Sequence, residues 1–444
     1  MVRPVRKWLS SRPVVAATAV VAISAAGFLS ADTAPPPESG ASAAAQFGQE
    51  RGDRSAPWWR SRAKNVIFIQ GDGMGIAHRE LIRLATVGQN DDLAMNKMDY
   101  AGLVQTDSAD PDETVTDSAA AATAYSTGVR TFNGAIGVDL DENPVPTLLE
   151  RARDAGKSTG LVTTSQVTDA TPAAFGAHIA DRAQQSEIAK QYLESTKPDV
   201  ILGGGEDFWF PAGDPGGWPD NPAKDPTEQS KGTQGNLVAQ AEQAGYQYVR
   251  NGAELQAVRS GKVLGLFANE EMFEHRNEGQ GDLYEPSVPL PDMASKALRL
   301  LSKDRQGFFL LIEEEGIDEM AHHSNTKLTI KSGQALDRTV ALALDFAKRT
   351  PRTLVIVIGD HETGGLAIEN FADDIENGEG ETAEDGPIAV ANSDLEFSVD
   401  WTTDGHTGAA VPVTAQGPGS SRFARMQRNT DVHDAILRAM GLPR

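Results

Sequence analysis

The chain has 444 residues, of which 39% are hydrophobic, with a net charge of −23 and an isoelectric point of about 4.7. This length and apolar content are enough for a large folded core, whereas the negative charge excludes a general nucleic-acid-binding protein, which needs a basic surface. The absence of cysteine excludes disulfide bonds and thiolate zinc sites, so any metal must be held by histidine, carboxylate or hydroxyl ligands.

The first 31 residues have the layout of a secretory signal peptide. Four basic residues precede an apolar run over 14–29 and small residues follow it, so we expect cleavage after Ala31 or Ala34. An uncleaved membrane anchor is the alternative, but a spanning helix needs about 20 apolar residues. Removal of residues 1–31 would change the net charge from −23 to −27. We therefore expect a secreted or periplasmic protein without a stable membrane anchor, in which residues 32–60, rich in Ala, Pro, Ser and Gly, form a flexible linker.

From Asn65 onward, short apolar runs alternate with amphipathic helical patterns. This alternation predicts an α/β fold with a mostly parallel central sheet covered by helices on both faces. The predicted strands are Asn65–Gln70, Thr159–Thr163, Val200–Leu202, Val263–Phe267, Phe308–Ile312 and Leu354–Ile358. The predicted helices are Ala77–Val87, Val145–Ala155, Gln184–Ser195, Leu237–Ala244, Met293–Ser302, Lys331–Lys348 and Val432–Met440.

Two stretches interrupt this alternation. Residues 206–235 are rich in Pro, Gly and Asp and include Trp209 and Trp218, and residues 369–400 contain a dense series of acidic side chains. We interpret both as surface insertions over one domain that covers residues 64–444. Ca²⁺ binding by the acidic insertion is an alternative, but a solvated charged surface is the favoured interpretation.

A helix rich in small residues is predicted within Val115–Gly128. Asp117 has a side chain preferred at a helix N-cap, Ser118 follows in the first turn, and Gly128 is typical of the position just after a helix end. The N–H groups and the positive dipole of the first turn favour an anion, so a phosphate on the Ser118 hydroxyl would be stabilised there. A capped core helix without chemistry is the alternative from this stretch alone.

Three predicted strands lead directly into acidic residues. These acids are Asp72, Glu313, Asp318 and Asp360. Because ligands bind at the carboxyl ends of strands in open α/β sheets, we expect these side chains to converge on one crevice. Several carboxylates packed together cannot all stay ionised unless cations neutralise them. The pattern therefore predicts a metal site.

Three histidines complete the predicted ligand set. His322 lies four residues after Asp318, a spacing that places both side chains on one helix face. His361 directly follows Asp360 on a predicted loop, and His406 lies in a segment that we predict to be a flexible turn. Imidazoles and carboxylates at a cysteine-free site favour Zn²⁺, whereas an all-oxygen set would favour Mg²⁺ or Ca²⁺.

Six short motifs follow one another along the chain. They are Gly71–Gly75, Thr116–Thr123, Asp169–Pro172, Glu313 with Ile317–Asp318 and His322, Gly359–His361 and His406–Gly408. Their order resembles that of the alkaline phosphatases, and the chain is similar to a secreted bacterial member over residues 64–444. The resemblance implies an alkaline-phosphatase-like three-layer sandwich, in which a large, mostly parallel central sheet is flanked by helices and carries surface insertions.

The resemblance also implies two zinc ions, one magnesium ion and a serine nucleophile. The matching ligands are Asp318, His322 and His406 for the first zinc, Asp72, Asp360, His361 and Ser118 for the second, and Asp72, Thr171 and Glu313 for magnesium. Asp169 matches a residue that contacts the magnesium through metal-bound water. Arg182 matches the arginine that holds phosphate, although from the residues alone it is a helix-surface arginine. Ser118 and Arg182 are thus the predicted catalytic residues, and together with Asp117 they are predicted to bind substrate.

Glu319 departs from the family pattern beside the first zinc. It follows Asp318 where some relatives have lysine or histidine, so this position is more negative here. We hypothesise that Glu319 weakens phosphate retention or sharpens the Mg²⁺ requirement. The remaining histidines are interpreted as structural or surface residues: His78, His178, His275, His323 and His433.

The implied reaction is hydrolysis of phosphate monoesters to an alcohol and inorganic phosphate through a phosphoserine. A bidentate guanidinium suits a dianionic monoester better than a diester. Few leaving-group contacts are expected, which predicts a broad range of small monoester substrates, and the family implies an alkaline optimum. No nucleic-acid partner is expected as such. The oligomeric state is left open, with a homodimer as one compatible outcome.

Three alternatives remain at this point. A phosphodiesterase would prefer threonine as nucleophile and lack the arginine, and a sulfatase would need Pro and Arg after its modified residue, where Ser118 is followed by four alanines. An exported phosphate- or metal-binding protein would have no need for a hydroxyl nucleophile beside Asp72, Asp360 and His361. Comparing turnover of mono- and diesters distinguishes the first of these alternatives.

Overall fold

The computed structural model describes residues 62–217, 229–370 and 384–443. The predicted signal peptide, 1–31, and linker, 32–60, lie outside the described residues, as do 218–228 and 371–383 of the two predicted insertions. The boundaries of the domain and its insertions therefore stay a prediction.

The described chain alternates strands and helices. The strands are β1 (Asn65–Gly71), β2 (Tyr100–Gln105), β3 (Ser158–Gln166), β4 (Val200–Gly204), β5 (Tyr246–Val249), β6 (Lys262–Leu266), β7 (Phe308–Glu314), β8 (Thr353–Ile358), β9 (Glu362–Thr363), β10 (Leu366–Asn370), β11 (Glu384–Ala389), β12 (Glu396–Trp401), β13 (His406–Thr407), β14 (Val411–Gln416) and β15 (Met426–Arg428). The helices are α1 (Ile76–Thr86), α2 (Ser118–Thr127), α3 (Leu148–Asp154), α4 (Ala170–Gly176), α5 (Gln185–Gln191), α6 (Leu237–Gln243), α7 (Gly252–Ala257), α8 (Leu290–Leu301), α9 (Gly316–His322), α10 (Thr326–Arg349) and α11 (Asn429–Met440). Short 3₁₀ or π turns occur at Ala94–Lys97, Tyr192–Thr196, Glu206–Phe208 and Ser420–Phe423.

Ten strands form one sheet in the order β15-β2-β14-β8-β1-β7-β3-β4-β6-β5. All six predicted strands are present in it, and they pair in parallel. The other four strands of the sheet, β2, β5, β14 and β15, were not predicted. One of these, β14, gives the sheet its antiparallel part, because it runs antiparallel to both of its neighbours, β8 and β2. The predicted mostly parallel α/β fold is confirmed.

Strand β1 lies at the middle of the sheet, between β7 and β8. Its side chains alternate between two hydrophobic cores: Val66 and Phe68 belong to one, Ile67 and Ile69 to the other. Because successive strand residues point to opposite faces, a strand buried on both faces needs an unbroken apolar run. Helices cover both faces, and β1 delivers the residues after it to the carboxyl edge of the sheet.

Helix bounds differ from the predictions mainly at the first turn. Helix α10 begins at Thr326, five residues before the predicted start, because the Asn325 side chain accepts a hydrogen bond from the Leu328 amide at 3.2 Å and caps the helix. Helix α8 similarly begins at Leu290, with proline in its first turn. Within the described residues, no helix is both long and apolar enough to cross a bilayer.

Part of the predicted acidic insertion has regular structure. Strand β12 pairs with both β10 and β11 in a separate three-stranded sheet. Phe397 and Val399 are buried there against Leu81 and Leu84 of α1. Alternating apolar residues in β12 therefore cover α1. This part of the insertion thus packs against the domain, whereas we predicted a solvated charged surface.

Candidate active site

Helix α2 presents Ser118 at its first turn, as the sequence predicts. Asp117 is the N-cap, and its Oδ1 accepts a hydrogen bond from the Ala120 amide at 2.9 Å. Its Oδ2 accepts one from the Gly134 amide at 2.9 Å, which ties the helix start to the following loop. Gly128 ends the helix with a left-handed φ of 77°. All ten helix residues are buried, so the serine is held on a rigid element.

The Ser118 hydroxyl lies among ligand-type atoms. Its Oγ is 3.1 Å from Nε2 of His361. Oδ1 of Asp72 and Oδ2 of Asp360 each lie 3.3 Å from the same nitrogen. Neither carboxylate oxygen has a hydrogen-bond partner among the described residues, although both are buried. A hydroxyl, an imidazole and two buried carboxylate oxygens without donors are the ligand set that a divalent cation satisfies.

A second group adjoins the first. Nε2 of His322 lies 3.1 Å from Oδ2 of Asp318, and Nε2 of His406 lies 3.7 Å from Oδ1 of Asp318. The two imidazole Nε2 atoms are 3.2 Å apart. The ring of His406 stacks on that of His361 with centroids 3.5 Å apart. Asp318 also contacts His361, so it lies between the two groups.

Glu313 and Thr171 form the third predicted set with Asp72. Glu313 accepts hydrogen bonds from the hydroxyls of Thr163, at 2.6 Å, and Thr171. Gln70 donates to Thr171 at 2.8 Å. The charge of Glu313 is among those that raise the pKa of Asp72. The structure thus brings the three predicted magnesium ligands to one place, at the carboxyl ends of β1 and β7.

Arg182 lies between two carboxylates. Its Nη2 donates to both oxygens of Asp169 at 3.0 Å, and its Nη1 donates to Asp117 at 3.3 Å. Burial lowers the pKa of Arg182, but Asp169 and Asp117 outweigh it and hold the guanidinium firmly charged. The residue lies in a turn before α5. Our reading of it as a helix-surface arginine was therefore wrong, because the helix begins three residues later, at Gln185.

The carboxylates of the site disfavour one another's ionisation. Burial, followed by repulsion from Asp360 and Asp318, raises the pKa of Asp72 well above its usual value. Burial and Asp318 raise the pKa of Asp360 to about 7, and burial raises that of Glu313 to about 8. For Asp318, burial is outweighed by hydrogen bonds from His322 and His406, which hold its pKa low. A site of this kind needs positive charge to keep all its acids ionised.

Backbone carbonyl oxygens orient two of the histidine rings through their Nδ1 atoms. Nδ1 of His322 contacts the carbonyl oxygen of Asp404 at 2.5 Å, and Nδ1 of His406 contacts that of Thr116 at 3.0 Å. These contacts turn each Nε2 toward Asp318, an arrangement typical of metal-bound histidine. Burial, and then the charge of His406, lower the pKa of His361 well below its usual value, which favours the neutral imidazole that binds metal.

His406 belongs to a strand and not to the flexible turn that we predicted. Strand β13 pairs with β9, so that His406 is opposite Thr363 and Thr407 is opposite Glu362. The side chains reinforce this pairing, because the Thr407 hydroxyl donates to the Glu362 carboxylate. The glycines on either side of His406, Gly405 and Gly408, suggest flexibility, but the pairing with β9 holds His406 in place.

Several residues that support the ligands were not predicted from the sequence. The Thr363 hydroxyl donates to Oδ1 of Asp318 and lies 3.2 Å from Nδ1 of His361. Thr163 supports Glu313 in the same way. The position of Thr363, two residues after His361 in an extended segment, was a usable signal, because residues i and i+2 share a face there.

Gly73 explains the glycine-rich motif after β1. Its φ is +66°, and a Cβ at this position would lie 2.5 Å from Oδ1 and 2.8 Å from Cα of Asp318. Its amide donates to Asp360 at 3.1 Å. The loop needs glycine because the backbone passes directly against the ligand groups.

The other five histidines lie outside both groups of ligand atoms. His78 is buried beside Trp401, and His433 is buried on α11. His178 contacts Glu150 at 3.1 Å. His275 and His323 contact each other at 3.4 Å near the surface.

Comparison with solved structures identifies the fold. The chain superposes on the alkaline phosphatase of the Antarctic bacterium TAB5 with a TM-score of 0.70 and 29% identity, covering 86% of this chain and 100% of that one. It matches the Thermus thermophilus alkaline phosphatase with a TM-score of 0.67 and 25% identity, covering 89% and 96%. The fold is that of the alkaline phosphatases.

Sequence comparison leads to the same class. The family model described as alkaline phosphatase matches residues 63–394. Alkaline phosphatase 4 of Bacillus subtilis is 33% identical over 440 residues, which is 86% of this chain and 89% of that protein. Streptomycin-6-phosphate phosphatase of Streptomyces griseus is 36% identical over 436 residues, covering 88% and 92%. The chain belongs to the alkaline phosphatase family. It is accordingly an enzyme, a phosphoric monoester hydrolase, which sets aside a binding protein without turnover.

Proposed function

We propose that the protein is an exported alkaline phosphatase that hydrolyses a broad range of small phosphate monoesters through a phosphoserine on Ser118, with an alkaline optimum. The observation that carries this proposal is the 3.1 Å contact between Ser118 Oγ and His361 Nε2, flanked by buried oxygens of Asp72 and Asp360. Export rests on the N-terminal sequence pattern alone, and a homodimer remains compatible with the sequence.

Three metal sites fit the donor groups. We assign Asp318, His322 and His406 to a first zinc, Asp72, Asp360, His361 and Ser118 to a second, and Asp72, Thr171 and Glu313 to magnesium. Asp169 would contact the magnesium through water. Imidazole-rich groups favour zinc, and the oxygen-only group favours magnesium. A variant of the TAB5 enzyme, 29% identical with a TM-score of 0.68, has magnesium bound in its M3 site.

The residues of the chain have separable tasks in this reaction. Bound metal ions would neutralise phosphate oxygens and favour the ionised form of a hydroxyl. Ser118 Oγ loses its proton to solvent and attacks phosphorus, forming the serine ester bond while the bond to the alcohol oxygen breaks and that oxygen takes a proton from solvent. Water then attacks the phosphorus of the phosphoserine and the Oγ–P bond breaks, so that Oγ regains a proton from solvent and inorganic phosphate is released. The positive end of the α2 dipole stabilises the bound phosphate in both steps.

Arg182 is the proposed phosphate clamp. Its guanidinium is fixed between Asp117 and Asp169, so little side-chain entropy is lost when it binds a substrate. Two parallel hydrogen bonds to phosphate oxygens suit a dianionic monoester. A diester offers fewer charged oxygens to this clamp.

Replacing Arg182 by alanine is expected to lower kcat/KM for an aryl monoester by roughly 10- to 100-fold, because charge-assisted hydrogen bonds to the phosphate are lost. The loss for the corresponding aryl diester should be smaller. The measurement is kcat/KM for 4-nitrophenyl phosphate and bis(4-nitrophenyl) phosphate. Arg153→Ala is a matched control, because both arginine side chains are 33% exposed and both pair with aspartate. A wild-type enzyme that prefers the diester would instead support a phosphodiesterase.

Glu319→Lys is expected to strengthen inhibition by inorganic phosphate about tenfold, because two charge units change near the anion. It should also weaken activation by Mg²⁺. The measurements are Ki for phosphate and the Mg²⁺ dependence of kcat. Glu319→Gln separates loss of the negative charge from gain of a positive one. Unchanged phosphate inhibition and unchanged Mg²⁺ activation in both variants would show that Glu319 has no such role.

Element-resolved metal analysis of the purified enzyme tests the proposed centre directly. Two zinc ions and one magnesium ion per chain are expected, because two imidazole–carboxylate groups and one oxygen-only group are present. Analysis of His322→Ala should give one zinc fewer. A calcium-only result in the active wild-type enzyme would contradict the ligand assignment.

A further inference from the structure

Helix α2 carries a second side chain that contacts the segment 359–361, which we call the ligand segment. Tyr125 lies seven residues after Ser118, about two helical turns, so both side chains are on the same face of α2. The Tyr125 hydroxyl donates a hydrogen bond to the carbonyl oxygen of Gly359 at 2.7 Å. Gly359 directly precedes Asp360 and His361, two of the proposed metal ligands. The helix that presents the proposed nucleophile is therefore also bonded to the ligand segment.

Two polar contacts join α2 to the ligand segment within the described residues, and they differ in kind. One is the 3.1 Å contact of Ser118 Oγ with His361 Nε2, and the other is the Tyr125 hydrogen bond. The Ser118 contact changes during the proposed reaction, because Oγ forms a bond to phosphorus. The Tyr125 contact involves no reacting atom, so it can hold the helix against the ligand segment throughout both steps.

Both partners of the Tyr125 hydrogen bond are closely packed. Tyr125 is fully buried, and its ring lies beside that of Phe68 of β1, with centroids 5.8 Å apart. A Cβ on Gly359 would lie 2.4 Å from the carbonyl oxygen of Met74, so the loop that begins at Asp72 passes directly against the ligand segment. The ligand segment is thus in contact with both α2 and the Asp72 loop, and the hydrogen bond fixes it to a rigid helix.

A buried tyrosine hydroxyl usually finds an acceptor for reasons of stability alone. Tyr246 is an example in this chain. It is 4% exposed, and its hydroxyl donates to the carbonyl oxygen of Pro198 at 2.6 Å. Pro198 precedes β4, at the opposite edge of the sheet from the candidate active site. The two tyrosines therefore match in burial and in hydrogen bonding, and they differ in what the acceptor carbonyl belongs to.

We propose that Tyr125 is a positioning residue, whose hydrogen bond to Gly359 sets the distance between the Ser118 hydroxyl and the ligands Asp360 and His361. This inference rests on the proposed function, which makes Ser118 the nucleophile. A misplacement of about 1 Å can lower a rate by about 100-fold, even when the altered residue is remote from the reacting atoms. Burial raises the pKa of the Tyr125 hydroxyl well above its usual value, so the group remains a donor in the alkaline range.

The test compares Tyr125→Phe with Tyr246→Phe, each of which removes one hydroxyl and keeps the packed ring. Both should fold, and their thermal unfolding midpoints should fall by similar amounts, because each loses one buried hydrogen bond. The kcat for 4-nitrophenyl phosphate should fall roughly 10- to 100-fold in Tyr125→Phe and stay largely unchanged in Tyr246→Phe. KM should change little in both, because the proposed phosphate clamp, Arg182, is held by other groups.

The rate at which bound zinc passes to a colorimetric chelator is a second readout, and it does not depend on turnover. It reports how firmly the ligand segment is held around the second zinc. One zinc ion should leave roughly tenfold faster from Tyr125→Phe than from Tyr246→Phe, the order of effect expected when a contact behind metal ligands is lost.

Equal kcat values in the two variants, or equal rates of zinc release, would overturn the inference and leave Tyr125 as an ordinary buried tyrosine. A phosphoserine trapped on the wild-type enzyme by acid quenching would in that case leave the proposed function standing. A wild-type enzyme that forms no phosphoserine would instead overturn both.

Discussion

Replacing Ser118 by alanine is expected to lower kcat for 4-nitrophenyl phosphate by at least about 10⁴-fold, the order of loss on removing a catalytic nucleophile. The change removes one buried oxygen from the first turn of α2, and the cap by Asp117 remains. The fold and most of the bound metal should therefore persist. The measurements are steady-state kinetics, circular dichroism and metal content on the same samples.

Ser126→Ala is the matched control, since Ser126 is a buried serine of the same helix whose hydroxyl donates to the Ala174 carbonyl at 2.6 Å. Its loss should destabilise the fold by about 1 kcal/mol and leave turnover largely intact. Acid quenching with labelled inorganic phosphate should trap label on the wild-type chain and on Ser126→Ala. Substantial activity in a folded Ser118→Ala enzyme, or label trapped on it, would identify another nucleophile.

Removing the metals with a chelator is expected to abolish activity and to lower the midpoint of thermal unfolding, by an amount that grows between about pH 5 and pH 8. Each bound ion stabilises the folded state, by about 4 kcal/mol when its free concentration is 1,000 times its Kd. Without cations, the buried acids of the site are left facing one another.

The direction of this pH dependence follows from two raised pKa values. The pKa of Glu313 is about 8 in the fold and 4.5 in the unfolded chain, and that of Asp360 is about 7 in the fold and 3.8 in the unfolded chain. Above the unfolded pKa the unfolded chain has released these protons while the metal-free fold retains them. Stability of the metal-free fold therefore falls as pH rises, until the folded pKa is passed. In the metal-loaded enzyme the same carboxylates are ionised and paired, so this loss is absent.

The measurement is calorimetry of loaded and stripped enzyme at pH 5.5, 6.5, 7.5 and 8.5, values that bracket this window. Chelator saturated beforehand with zinc and magnesium is the control for effects other than metal removal. Equal unfolding midpoints for the two forms, or a difference that shrinks with pH, would contradict a centre built from buried acids.

The sequence was sufficient for the parts of the site that follow local rules. Asp72 and Asp360 were found because each follows an apolar strand of a parallel sheet, and Asp318 with His322 because four residues make one helical turn. Ser118 was found from the helix cap beside it. Each rule relates a residue to its own element, so knowledge of the chain path was not needed.

The predictions that were wrong or missing concern residues whose positions depend on contacts between distant segments. The turn that holds Arg182 is fixed by Asp169 and Asp117, and the extended path of His406 is fixed by pairing with β9. Thr363 supports Asp318 across the fold. Apart from the i, i+2 spacing of His361 and Thr363, no spacing rule marks such residues, because hydroxyl side chains are common and their partners are set by tertiary packing.

The pairing of β9 with β13 determines when the metal centre can assemble during synthesis of the chain. It joins His406, near the end of the chain, to a centre whose first ligand, Asp72, follows the first strand of the sheet. Contacts between segments so far apart in sequence form slowly, because the entropy of closing a long loop must be lost first. On the proposed ligand assignment, a nascent chain lacks a complete first zinc site, and full metal loading must wait until the C-terminal strands have docked.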